Sequence, residues 1–409
     1  MTSQATGTPV GEAAAAASTH RARILAGVRA GMAGLIELSE SIHAHPELGW
    51  QEHRAAAWTA EYLESAGFTV ERGYLGFPTA LRAVAGSGTR RIGFCAEYDA
   101  LPGLGHACGH NLITAISCGA AVALAGFADE LDLTIEVYGT PAEEGGGGKI
   151  EMIKKGAFVG LDLALMAHPG PVDSAQARPF AVGHHKVSYR GKSAHAAAYP
   201  EQGINANDAF VVAQVALGLL RQQLGSGTRV HGIQTHGGEA PNAIPEHTQG
   251  RWYVRAETLQ ELGVLEEKVH RCFQAGALAT GAELEWEPES EPYSEFRTDA
   301  RALALYVRHA ESLGRRFDAP AEHATMNRAS TDMGNVSQLV PAIHPYIGLG
   351  CYPASNHQKA FAEHCVGDAA ARAIHDGAAA LALTALDYFS ATAGDEPHAI
   401  TEQGAEPWK

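Results

Sequence analysis

The chain has 409 residues, of which 45% are hydrophobic and 19% charged, and it carries a formal net charge of −16. This is the composition of a globular enzyme with room for more than one domain, and its acidity argues against nucleic acid or an anionic membrane as partner, because both need a basic face. No run of about 18 apolar residues marks a membrane span, and the six cysteines at 95, 108, 118, 272, 351 and 365 form no CxxC pair, which points to a reduced, cytoplasmic setting.

Residues 1–18 are rich in Ala, Gly and Thr, have no basic segment ahead of the alanine run, and read as a flexible tail rather than a signal peptide. Thr19 would cap a first helix reaching residue 43, and a second helix, 52–66, stops at Gly67. A strand at 91–97, an apolar helix at 112–127, a strand at 133–139, a helix opening at 148–155 and an apolar strand at 163–167 then alternate as in an α/β sheet covered on both faces. The pattern changes near Val182. A strand at 184–189, a helix at 206–224, strands at 230–235 and 250–256, a helix at 259–280 and a strand at 283–287 give the ferredoxin-like order β-α-β-β-α-β. After Phe296 the α/β pattern resumes with a strand at 343–349 and a closing helix at 368–389, and residues 392–409 read as a second tail. The expected organisation is a catalytic α/β domain, 19–181 with 296–391, into which an α+β domain, 182–295, is inserted.

Ligand-type side chains recur after the strands of the first domain. The run Gly105-His106-Ala107-Cys108-Gly109-His110-Asn111 puts a thiol and an imidazole two residues apart, both good donors to a borderline-soft divalent ion. It and Asp99 follow the strand at 91–97; Glu143 and Glu144 follow the strand at 133–139; His168 follows 163–167; and His357 lies in the loop after 343–349. If these strands are parallel, all of these residues reach the carboxyl edge of one sheet, where open α/β sheets bind ligands. Of the two adjacent glutamates, one can bind metal while the other stays free as a general base for an activated water. The glycines 145–148 allow a tight turn, but their spacing matches neither the dinucleotide fingerprint nor the P-loop.

The runs Glu97-Tyr98-Asp99-Ala100-Leu101-Pro102, His106 to Asn111, Pro141-Ala142-Glu143-Glu144-Gly145 and Ala167-His168-Pro169 resemble metallopeptidase family twenty, subfamily D, the aminoacylase and hippurate hydrolase type. So do His45-Pro46-Glu47-Leu48-Gly49, Gly191 to Pro200, Gly237-Gly238 with Asn242 to Pro245, and Ser355-Asn356-His357. Gly105 to Asn111, the glycines 145–148 and the run Ser330 to Ser337 are similar to a narrower branch, the aminoacylase-like dipeptidases and one of the two chains (B) of aminobenzoyl-glutamate hydrolase; Asn111 stands where hippurate hydrolases usually carry Asp.

The resemblance implies a zinc-peptidase-like catalytic domain with a mixed, mainly parallel sheet, and a ferredoxin-like module that serves as lid and homodimer contact. It implies two divalent ions, Zn2+ first with Mn2+ or Co2+ as alternatives, held by Cys108, His110, Glu144, His168 and His357. Glu143 would be the base, Asp99 would orient a ligand, and Glu97 would stand behind the ligands. Which ligand bridges the ions stays open. In the inserted domain His195, Asn205 and His231 are candidates to hold the oxyanion, and Asn242 and Arg255 match positions that touch substrate; an arginine suits a terminal carboxylate.

The expected reaction is hydrolysis of the amide bond of an N-acyl amino acid or a related small amide conjugate, with Glu143 passing the proton of water to the leaving amine. A dipeptidase (β-alanyl or similar) or an aryl-amide hydrolase would use the same chemistry. The other classes are a cysteine amidase with Cys108 as nucleophile, which nothing in the sequence forbids, and a binding homologue without catalysis.

Overall fold

The structure, a computed structural model, describes residues 9–390. The expected tail at 392–409 and the first part of the one at 1–18 lie outside the described residues. The rest of that first stretch corrects the sequence expectation: helix α1 is Pro9–Ala44. Proline fits the first helical turn, where its missing donor is not needed, and alanine has the highest helix propensity. Thr19 therefore lies inside the helix instead of capping it.

Helix α2 (His53–Ser65) ends before Gly67, which takes a φ of 89° as the stop signal requires. Strands β1 (Thr69–Arg72) and β2 (Leu81–Ala85) follow; β1 is short and largely exposed, so it carries no apolar alternation to read. Then come β3 (Arg90–Glu97), α3 (His110–Ala125), β4 (Leu133–Thr140), α4 (Gly148–Lys154), β5 (Leu163–Leu165) and β6 (His168–Gly170). The second unit contains β7 (Ala181–Arg190), α5 (Ala206–Arg221), β8 (Arg229–His236), β9 (His247–Ala256), α6 (Leu259–Thr280) and β10 (Glu283–Pro288). The chain returns through α7 (Ala300–Ser312), α8 (Met333–Ser337), β11 (Ala342–Ile343), β12 (Tyr346–Gly348), α9 (Lys359–His364) and α10 (Gly367–Ser390).

Three expectations are corrected here. The strand expected at 163–167 stops at Leu165, and His168 belongs to β6, which pairs in parallel with β12 outside the main sheet. The strand expected at 343–349 is split between β11 and β12, because Pro345 between them has no donor for a continuous ladder. Helix α7 was not anticipated, although Asp299 caps it by accepting from the Ala302 amide at 2.7 Å.

The main sheet has the order β1-β2-β4-β3-β5-β11. β3 runs parallel to β4 and β5, and β5 parallel to β11, whereas β2 is antiparallel to both β1 and β4. This is the mixed, mainly parallel sheet of an α/β fold. Helix α3 is buried on nearly every side, among α1, α10 and the sheet. At Gly119 a Cβ would lie 2.7 Å from Leu35 Cδ1 and 3.1 Å from Ala378 Cβ, so only glycine lets the three helices approach this closely. Inside the sheet the buried Glu136 is held by Arg82, Arg91 and Tyr138. Because β3, β4, β5 and β11 run the same way, the segments that leave their carboxyl ends meet at one edge: Glu97 to Asp99, Pro141 to Glu144, Met166 to His168, and His344.

The second unit comprises Arg178–Glu295 and Ala329–Asn335, whereas the sequence reading placed it at 182–295. The returning segment belongs here because Asn335 Oδ1 accepts from the Ser294 amide at 3.0 Å and Ser330 Oγ donates to the Phe180 carbonyl at 2.7 Å. No periodicity marks so short a segment. The sheet of this unit, β10-β7-β9-β8, is antiparallel throughout, the ferredoxin-like order, and α5 and α6 close its core around Tyr189, Phe210, Val254 and Phe273.

Candidate metal centre

The turn that carries Cys108 and His110 depends on Gly109. Its φ is 83°, and a Cβ there would lie 2.4 Å from Pro169 Cγ, so no other residue fits between the two donors. His110 opens α3. Its Nδ1 lies 2.8 Å from the Asp99 carbonyl and 3.0 Å from Asp99 Oδ1; both are acceptors, so Nδ1 carries a proton and Nε2 is the nitrogen left for a cation. The other Asp99 oxygen, Oδ2, accepts from the Glu144 amide at 2.9 Å. His168 donates from Nδ1 to the Pro169 carbonyl at 2.8 Å, which leaves its Nε2 3.5 Å from Cys108 Sγ. His357 arrives from another segment. Its amide donates to the Ala107 carbonyl at 2.8 Å, while the neighbouring Asn356 side chain donates to the carbonyls of Cys108 and Pro169, and the ring brings Nε2 within 3.2 Å of Glu144 Oε1.

Among the described residues, Cys108, His110 and His168 place their donor atoms within 4.8 Å of one another, and so do Cys108, Glu144 and His357. Cys108 belongs to both trios, a point the sequence left open. A third trio joins Glu97, His110 and Glu143. His110 Nε2, Glu144 Oε1 and Glu97 Oε2 are buried without a hydrogen-bond partner. Such orphaned donors facing one another fit a divalent cation, and the mix of thiol, imidazole and carboxylate suits a borderline-soft one.

Without a cation, Cys108 and His110 keep their protons. Burial, reinforced by the Glu144 charge, pushes the Cys108 thiol well above its usual range. Burial draws His110 down, but the Asp99 carboxylate and the bond to it hold the imidazole well up. Burial also raises Asp99, yet the charge and bond of His110 leave its carboxyl below the ordinary range. A thiol so placed is a poor free nucleophile, which counts against the cysteine amidase alternative. Loading a cation here would release protons.

Several residues that shape the site were not singled out from the sequence. Glu52 is completely buried and accepts from the Ala142 amide at 2.8 Å, holding Ala142 at a φ of 55° just before the glutamate pair. Burial and then the Asp99 charge push its carboxyl up to about 7. His344 stacks on His168 at 5.5 Å. Lys149 is completely buried, with Nζ 2.5 Å from Glu97 Oε1. Their roles depend on pairing across tens of residues, which no local motif reveals. Asn111 donates to Ser39 Oγ and to the Cys365 carbonyl, so it pins α3 and makes no contact in either trio.

The remaining sequence candidates all lie in the second unit. His195 is exposed; its Nδ1 accepts from the Ala197 and Ala198 amides, which leaves the proton on Nε2. The Asn242 carbonyl accepts from the Ala196 amide, so these two loops are joined. Asn205 spends its side-chain oxygen capping α5, with the Asn207 amide at 2.9 Å. Arg255 donates to His231 Nε2 at 3.2 Å and to Ser330 Oγ at 2.6 Å.

Residues 93–387 match the model of peptidase family M20/M25/M40. The chain is an M20 peptidase. As such it is a hydrolytic enzyme, a metallopeptidase of the amidohydrolase type. This M20 peptidase is 42% identical over 367 residues to the Xaa-Arg dipeptidase of Mus musculus, an alignment covering 86% of the chain and 84% of that protein. It is 40% identical over 369 residues to the Xaa-Arg dipeptidase of Homo sapiens, with the same coverage of both chains. Among solved structures, a dinuclear metal-binding peptidase of the M20 family from Bacillus subtilis shares the fold, with a TM-score of 0.64 at 22% identity, covering 88% of this chain and 99% of that one. No helix among the described residues of the M20 peptidase is long and apolar enough to cross a membrane.

Proposed function

We propose that this enzyme hydrolyses dipeptides and related N-acyl amino acids at a centre that would hold two divalent ions, with Zn2+ the first candidate, and that Cys108 would serve both. The observation that carries the reading is that two donor trios share Cys108. His110 and His168 complete one position, and Glu144 and His357 the other. Bound there, the ions would activate water and polarise the scissile carbonyl. Glu143 takes the proton of the attacking water and passes it to the leaving amine, and Asp99 keeps His110 and Glu144 aligned.

Arg255 supports a substrate with a free carboxylate. It is a half-buried guanidinium whose bonds to His231 and Ser330 go to neutral groups, so its charge remains available for a bidentate pair. His195 offers an exposed Nε2–H donor suited to an oxyanion. The names of the relatives favour a dipeptide over a long acyl chain.

The test is a mass-spectrometric panel run on protein stripped with a chelator and reloaded with Zn2+, Mn2+ or Co2+. Xaa-Arg and β-alanyl dipeptides, N-acyl amino acids and aminobenzoyl-glutamate are each compared with the C-terminally amidated form. Turnover is expected to vanish on stripping, to return on reloading, and to drop at least tenfold on amidation. Activity indifferent to the chelator would defeat the metal reading, and equal turnover of amidated substrates would defeat the carboxylate assignment.

A homodimer through the second unit belongs to the same reading, in the reducing cytoplasm to which six cysteines without a disulfide are suited. β8 is an edge strand with Ile233 65% exposed, and along α5 Val211, Val215 and Leu219 form an exposed apolar stripe at helical spacing. Light scattering is expected to show a dimer in the native protein and a monomer when Val215 and Leu219 are both changed to Asp. A native monomer would rule the dimer out.

A further inference from the structure

The third donor trio raises a problem of its own. A cation drawn to the carboxylates of Glu97 and Glu143 would crowd His110 and would engage the very carboxylate assigned to move the proton. Glu97 is equipped for such capture: it is buried, and Oε2 lies 3.5 Å from His110 Nε2 with no hydrogen-bond partner.

The fold places one positive charge against it. Lys149 is the second residue of α4, and α4 leaves the carboxyl end of β4, the parallel neighbour of the strand that ends in Glu97. The entry is tightly fixed. A Cβ on Gly148 would lie 1.7 Å from the Pro141 carbonyl oxygen, so the chain passes there only as glycine. The Lys149 ammonium then reaches Glu97 Oε1 at 2.5 Å, with both side chains shielded from solvent.

We propose that Lys149 is a positioning residue that occupies this third position with its own charge, so that divalent ions settle only on the two trios sharing Cys108. The proposal rests on the dinuclear reading above. An ammonium and a divalent cation compete for the same carboxylate, and in a buried setting that competition is strong because little solvent screens it. Lysine suits the task as a compact point charge with no acceptor of its own. The consequence is that Glu143 stays off the metal and Glu97 stays behind the ligands.

The experiment counts metal rather than product. Stripped protein is dialysed to equilibrium against Zn2+ or Mn2+, and bound metal is measured by elemental analysis, with thermal melting to verify folding. The native enzyme is expected to hold two equivalents and K149M three, and K149M/E97Q is expected to return to two. K149Q and K149R form a second pair should K149M fail to fold; the glutamine must gain the third equivalent and the arginine must not. With Co2+, the added equivalent is expected to contribute ligand-field absorption without new thiolate charge transfer. A purely structural Lys149 predicts a lower melting temperature with the count fixed at two, and that result overturns the proposal while leaving the dinuclear reading intact. A native enzyme that binds no metal overturns both.

Discussion

Changing Glu143 to Gln is expected to lower kcat by about 10²–10⁴-fold, the range for loss of a positioned general base, while metal content and melting temperature stay near those of the native enzyme. The geometry separates the paired glutamates. Glu144 shares a trio with Cys108 and His357, and its backbone amide is tied to Asp99. Glu143 shares none with Cys108; both glutamates lie 3.9 Å from His110 Nε2, but only Glu144 also meets His357, at 3.2 Å. The glutamine keeps the shape and removes the basicity. Turnover within a few-fold of native would take the base role away from Glu143, and loss of metal along with activity would make it a ligand instead.

Changing Cys108 to Ala is expected to remove both ions and all measurable turnover. Two of the three trios lose one member, and it is the same member. Bound metal should fall from two equivalents toward none. The rise in melting temperature that metal gives the native protein should disappear with it; at a free concentration of 100 times Kd such binding is worth about 2.7 kcal/mol. Changing Cys108 to Ser keeps the geometry with a weaker donor and should retain part of the metal at high concentration. If the alanine variant holds two equivalents, the bridging assignment fails. If the serine variant keeps full metal and loses all activity, the nucleophile reading returns.

The donor set was legible because its chemistry is local. Cys108-Gly109-His110, Glu143-Glu144 and His168-Pro169 each sit within a few residues of a strand end, and parallel strands deliver such ends to one place. The strand order was legible in the second unit, where every second residue of β9 is buried and those between are partly or fully exposed. What stayed hidden was set by pairings at long range. β6 and β12 are three residues each, too short for any period, and exist only because they pair with one another. Glu52 and Lys149 look like ordinary surface charges in sequence; only the packing shows them with no exposure to solvent. Asn111 pointed to the dipeptidase-like branch, in keeping with the relatives found, while its packing role, joining α3 to Ser39 and the Cys365 carbonyl, was not legible.

The Asp99 carboxylate binds one member of each trio, Oδ1 at the ring of His110 and Oδ2 at the amide of Glu144. One rigid group therefore spans the two halves of the centre. A shift that improves the aim of His110 moves the anchor of Glu144 by a comparable amount, so neither half can be retuned on its own. On the dinuclear reading, affinity at either position would be inherited jointly, through a carboxylate that belongs to none of the donor trios.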